Sequence, residues 1–167
     1  MTFSGQPDLL VSISANRPPD NDPITVGGML LCVPDARHPA TILDVGPVST
    51  VGSHLALLGA RLHTTNAGGQ LVESIWGYDP ESWPGPSEDV NGAMVDVECV
   101  DDSTPPGFDQ VELRVGLRAT NAEAGGWDGI AVAYEYQDRR YVLDLGRQVA
   151  ICAIGDVEGC PEIFEGE

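Results

Sequence analysis

Hydrophobic and polar positions alternate with period two along most of this chain, and helical periodicity nearly vanishes. In "DLLVSISA" (8–15), Leu9, Val11 and Ile13 share one face. "PITVGGMLLCV" (23–33) and "TILDVGPV" (41–48) continue the pattern, divided by the turn-like "PDARHPA" (34–40). "HLALLGARLHTT" (54–65) is the most helix-like window, through Leu55, Leu58 and Leu62. Gly59 interrupts that spacing, and Leu55, Leu57 and Gly59 equally form one strand face, so the window is read as a strand. "QLVESIWGY" (70–78), "GAMVDVECV" (92–100) and "QVELRVGLRAT" (110–120) follow. In the last, Val111, Leu113, Val115 and Leu117 alternate with Glu112, Arg114, Gly116 and Arg118, which predicts a half-buried strand with one wet face.

The best-patterned stretch is "GGWDGIAVAYEYQDRRYVLDLGRQVAICA" (125–153). Ile130, Val132, Tyr134 and Tyr136 alternate with Gly129, Ala131, Ala133 and Glu135. "QDRR" (137–140) then makes a turn, and the chain returns as a strand broken near Gly146. This predicts a C-terminal hairpin. The segments "RPPDNDP", "YDPESWPGPSEDVNG" and "VDDSTPPGFD" are rich in Pro, Gly, Asp and Ser and read as loops. Seven to nine short strands so punctuated predict an all-β fold, an immunoglobulin-like antiparallel β-sandwich. With no repeat and no linker, residues 1–167 read as one domain, and 155–167, "GDVEGCPEIFEGE", as an acidic tail. A chain of 167 residues buries roughly 69% of its unfolded surface, enough for a core without a metal or cofactor.

Charge removes whole classes of partner. Acidic residues number 26 against 8 basic ones, all arginine, for a net charge of -18. Such a surface repels phosphate backbones and anionic bilayers, so neither nucleic acid nor membrane insertion is expected. Four cysteines, Cys32, Cys99, Cys152 and Cys160, suit two disulfides in an oxidising compartment. Three connectivities are open. Placement at strand ends favours Cys32–Cys152, leaving Cys99 for Cys160. Met1 is followed by polar "TFSGQPD", and the apolar run "MLLCV" (29–33) is too short to cross a bilayer. The cysteines favour an extracellular or cell-surface protein with a trimmed signal segment; the alternative is a cytoplasmic or virion protein.

Catalytic and metal motifs are missing from the sequence. The cysteine spacing lacks the close pairs of a zinc site, and His38, His54 and His63 are dispersed. "PPDNDP" (Asp20, Asn21, Asp22) and "VDDSTPPGFD" (Asp101, Asp102, Asp109) offer oxygens for calcium but match no EF-hand. There is no GxSxG elbow, and Ser53 and His54, adjacent on a strand, point to opposite faces. "NAGG" and "EAGG" fit no phosphate loop and read as hairpin ends. No enzyme and no cofactor is therefore expected. What remains is aromatic: Trp76, Tyr78, Trp83 and Trp127 fall in or near turns, where such side chains either carry binding energy or plug the ends of a sandwich.

The segments "LLCVPDARHPATILDVGPV", "VDVECVDD", "DQVELRVGLRAT" and the stretch 125–152 together resemble exported actinobacterial immunoglobulin-like β-sandwich proteins of uncharacterised function. The resemblance covers about residues 30–152. It implies an immunoglobulin-like fold and an extracytoplasmic home, and brings no catalytic residue. Cys160 and the absent signal segment depart from it. The favoured reading is a non-enzymatic extracytoplasmic module that binds a protein partner through its loop aromatics. A structural subunit of a larger assembly, packed by its sheet edges, is the alternative. A carbohydrate- or calcium-binding module is the third.

Overall fold

The computed structural model describes residues 2–4, 11–13, 22–52, 55–65, 74–83, 85–99, 110–152 and 164. Among them are twelve strands: β1 (Thr2–Ser4), β2 (Val11–Ile13), β3 (Ile24–Cys32), β4 (Ala40–Gly52), β5 (Leu55–Thr65), β6 (Ser74–Trp76), β7 (Ser87–Asp89), β8 (Met94–Val95), β9 (Gln110–Ala119), β10 (Gly125–Tyr136), β11 (Arg139–Asp144) and β12 (Val149–Ile151). They form two sheets. The first has the order β1-β3-β9-β5-β7 with β6 also on β3; the second has β2-β12-β10-β4-β8 with β11 also on β10. Neighbours are antiparallel except β2 and β12, which are parallel. No helix among the described residues is long and apolar enough to cross a membrane.

The alternation read from the sequence becomes the core between the sheets. Ile24, Val26, Met29 and Leu31 of β3 and Leu113, Val115 and Leu117 of β9 meet Ile42 and Val45 of β4 and Trp127, Ile130 and Val132 of β10 in one buried cluster. Each fully buried aliphatic or aromatic side chain there contributes about 1.5–3 kcal/mol.

Window 54–65 is a strand over its described residues, Leu55–Thr65, and its helix-like spacing has a cause. A register shift between Leu57 and Gly59 resets the alternation. Leu55, Ala60 and Leu62 then face the core while Leu57 and Leu58 are exposed. The strand count exceeds the expected seven to nine because β1, β2, β6, β7, β8 and β12 span only two or three residues each. Stretches that short show no period. Window 92–100 is accordingly not one strand: only Met94–Val95 pairs with β4, and Glu98 bridges Val33.

The C-terminal hairpin is present, with a tighter turn than "QDRR". Gln137 and Asp138 alone form it, both at positive φ (51° and 60°), so Tyr136 faces Arg139 as in a two-residue type I′ connection. Arg139 and Arg140 already belong to β11. The expected break falls between Asp144 and Val149. "EAGG" does not close a hairpin, since β9 and β10 lie in different sheets; "NAGG" lies outside the described residues.

The expected Cys32–Cys152 bridge is corrected. Cys32 bonds Cys99, with Cα atoms 4.9 Å apart. Strand-end placement misled because Cys32 ends β3 in one sheet and Cys152 follows β12 in the other. Residues 97–99 instead return beside Val33, which donates its N–H to Val97 O and accepts from Cys99 N, each at 2.8 Å. Cys152 is buried and also disulfide-bonded; Cys160 lies outside the described residues. Of the segment 155–167 only Phe164 is described, packed on Ala150 and Cys152.

Candidate binding surface on the outer face of the first sheet

The face of β9 expected to be wet is covered. Glu112 and Arg114 are fully buried, and of the four alternating positions only Arg118 is exposed. The covering begins at Gly77, directly after β6. Its N–H donates to Pro23 O at 2.7 Å, and its carbonyl accepts from Thr25 Oγ1 at 2.6 Å. Tyr78 then lies over two neighbouring glycines. A Cβ on Gly59 would fall 2.6 Å from the Tyr78 hydroxyl, and one on Gly116 would overlap the ring. Gly116 of β9 faces Gly59 of β5 across the ladder, so the pair forms a trough one phenol wide. Glycine inside a strand marks such a close approach.

A 3-10 turn (Pro80–Ser82) follows, held by the Ser82 hydroxyl on Asp79 O at 2.8 Å. Trp83 meets Tyr78 edge-on at 5.8 Å between ring centroids and stacks over the Arg114 guanidinium at 5.0 Å. The strap is tied down again beyond the sheet's midline: Thr64 N donates to Pro86 O, and Arg61 reaches Ser87 Oγ and O at 2.9 and 3.0 Å.

Beneath Trp83 sits a closed polar layer. Arg114 donates through Nε and a terminal nitrogen to Glu112 Oε2 at 2.8 and 2.7 Å. Glu112 Oε1 accepts the Gly28 N–H at 2.7 Å. Gly28, at φ 72°, lies where β3 slips register against β9 between Val26 and Met29. A bulge at that point turns an amide out of the ladder, where the carboxylate takes it. His63 faces Glu112 across the ladder and is buried. Burial, then Arg114, pushes its imidazole below the usual histidine range, outweighing Glu112 and the Pro86 carbonyl. Burial likewise pushes the Tyr78 phenol up, more than Arg61 pulls it down. Glu112 is thus held by both Arg114 and Gly28. Among the described residues no three His, Cys, Asp or Glu side chains converge as metal ligands.

The four aromatics singled out by sequence divide into three situations. Tyr78 and Trp83 come together in the strap, half-buried. Trp76 stands next to the strap on β6, 39% exposed, and Ile75, 45% exposed, points to the opposite face of the sheet. Trp127 does not join them: it is 2% exposed and packed in the core between the sheets, so its assignment to a binding surface is corrected. Its neighbours Gly125 and Gly126, which looked like a turn, are the first residues of β10. Sequence reading missed Glu112, Arg114 and His63. The available signal was Gly116 two residues beyond Arg114, with Gly59 in the neighbouring strand, both asking what approached so closely. The calcium-loop candidates at 20, 21, 101, 102 and 109 lie outside the described residues, and Asp22 is exposed.

Shallow clefts open elsewhere among the described residues. One of about 290 Å³ is lined by Leu62, Val111, Ala93, Met94, Glu88 and Asp96. One of about 240 Å³ lies between Val48, Asp128, Gly129, Asp144 and Gln148, with the Gln148 amide on Asp128 at 2.7 Å. No protein-family model, curated protein or solved structure matches the chain.

Proposed function

We propose that this protein is a non-enzymatic, immunoglobulin-like binding module that holds a protein partner outside the cytoplasm, with Trp76 as the contact. One observation carries the reading: a tryptophan, Trp76, stands 39% exposed on a strand that, among the described residues, pairs only with β3 and whose continuation is fastened to the sheet at Gly77. A partner meeting it meets a preorganised surface, which lowers the entropic cost of binding. Tryptophan at the centre of such a contact often dominates its energy. The disulfides favour an oxidising compartment, and the net charge of -18 disfavours nucleic acid.

Strand order supports the immunoglobulin-like part. Assigning β1, β3, β9 and β5 to strands A, B, E and D reproduces one sheet of that fold, and β4, β10 and the broken pair β11–β12 supply C, F and G. The chain departs from antibody domains in two ways. No cysteine joins B to F, and the buried tryptophan sits on F instead of C.

The experiment is affinity capture from the native source with the intact protein and with Trp76→Ala. The expected result is loss of the captured partner at an unchanged melting temperature. Full retention of the partner by Trp76→Ala would remove Trp76 from the contact and overturn the reading.

A further inference from the structure

The second sheet ends, over part of its width, in a strand that is complementary to itself. Among the described residues β11 pairs only with β10. Arg139 to Val142, along with Asp144, are exposed, Val142 at 71% and Tyr141 at 40%. A row of open amides beside exposed apolar side chains is a template for another strand.

The hairpin fixes which amides are open. A two-residue turn closes on a hydrogen-bonded pair, here Tyr136 and Arg139, after which bonded and non-bonded pairs alternate. Arg139, Tyr141 and Leu143 therefore spend their amides on β10, and Leu145 keeps that parity by donating to Ile130 O at 3.0 Å. The N–H and C=O groups of Arg140, Val142 and Asp144 face away. Val142 lies opposite Ala133, and Arg140 opposite Glu135, so these three residues also share the sheet's outer face.

We infer that β11 pairs antiparallel with β11 of a second copy of this chain, with Val142 facing Val142 and Arg140 facing Asp144 on both sides of it. Symmetry restricts the choice. Two copies joined edge to edge by a two-fold axis normal to the sheet match only residues of like parity, because opposed side chains must lie on one face. Within that set, charge selects the register. Centring on Tyr141 would set Asp138 against Asp144, and centring on Arg140 would set that arginine against itself, each a like-charge pair. Centring on Val142 places two Arg140–Asp144 pairs around one apolar contact, and each pair exchanges both main-chain hydrogen bonds. Glu135, 3.9 Å from Arg140, extends the row of alternating charge. Tyr141, stacked on Tyr134 at 5.4 Å, meets Leu143 of the second copy on the inner face. The contact belongs to the other sheet from Trp76, so either can fail without the other.

Sedimentation equilibrium of the full chain at about 0.15 M salt, where charges beyond about 8 Å are screened, reads the outcome. The intact protein is expected to be dimeric at about 100 µM, a concentration suited to a contact this small. Val142→Lys or Asp144→Arg should weaken the dimer at least about tenfold without lowering the melting temperature. Mild oxidation should link Val142→Cys into covalent dimers, because facing Cα atoms about 5.5 Å apart fall within disulfide reach, and should leave Arg139→Cys unlinked. A monomeric intact protein overturns the inference. So does a dimer untouched by both charge substitutions, or equal cross-linking of the two cysteine variants.

Discussion

Adding a single methyl group to Gly116 tests whether the strap is part of the fold or merely rests on it. The Cβ of Gly116→Ala would overlap the Tyr78 ring, and the next contact, with Gly59 beneath the hydroxyl, leaves the phenol no room to slide along the trough. Tyr78 must lift, loosening its edge contact with Trp83 and the cover over Arg114. Overpacking of this kind costs about 1–3 kcal/mol, and for a domain of this size each kcal/mol lowers the melting temperature by about 2–4 °C. The backbone itself gives no reason for a loss. Gly116 has an ordinary strand φ, outside the positive range, and alanine in a strand is favoured over glycine by about 0.5–1 kcal/mol. The sign of the effect should therefore reverse when the ring is removed. In a Tyr78→Ala background, Gly116→Ala should be neutral or mildly stabilising. Urea denaturation of the four proteins in the cycle, followed by tryptophan fluorescence, measures the coupling directly. A neutral Gly116→Ala, or the same cost with and without Tyr78, would refute the close packing of strap on sheet.

Two further outcomes follow from the polar layer. Arg114→Ala leaves the Glu112 carboxylate buried without its guanidinium and should cost about 3–5 kcal/mol, whereas the double change Glu112→Gln with Arg114→Met should recover much of that loss in chemical denaturation. His63 has a folded-state pKa below its ordinary 6.5, so below pH 6.5 the unfolded chain takes up this proton more readily than the folded one. Stability is then complete above pH 6.5 and falls as pH drops from there toward the lowered value. Denaturation between pH 7.5 and 5.5 should show that slope, and His63→Gln should flatten it.

The fold was legible wherever alternation ran long enough to be seen. β3, β4, β5, β9 and β10 each span nine or more residues, and their apolar positions mark the core face. What alternation reports is side-chain polarity, and polarity equals exposure only when nothing covers the other face. β9 breaks that equation. "VELRV" reads as one dry side and one wet side, yet Glu112 and Arg114 are dry because they satisfy each other and take an amide from Gly28. The strap that covers them is non-local in sequence, and no window of ten residues contains it. The disulfide was illegible for a related reason: Cys99 follows no regular strand, and only the pairing of 97–99 with Val33 brings it to Cys32. Trp127 was misplaced because its preceding glycines resemble a turn but begin β10.

The Cys32–Cys99 bond also decides how the molecule responds to a cut. The 67-residue separation between the two cysteines takes in β4 through β8, including the strap and the exposed Trp76. One hydrolysed peptide bond anywhere in that span releases nothing: the two pieces stay tied through sulfur, and β5 remains laddered to β9 and β4 to β10. The nicked chain gains only the mass of a water molecule and separates in two after reduction under denaturing conditions. The loop that carries the proposed contact can thus be opened by a protease while the body that presents it stays whole.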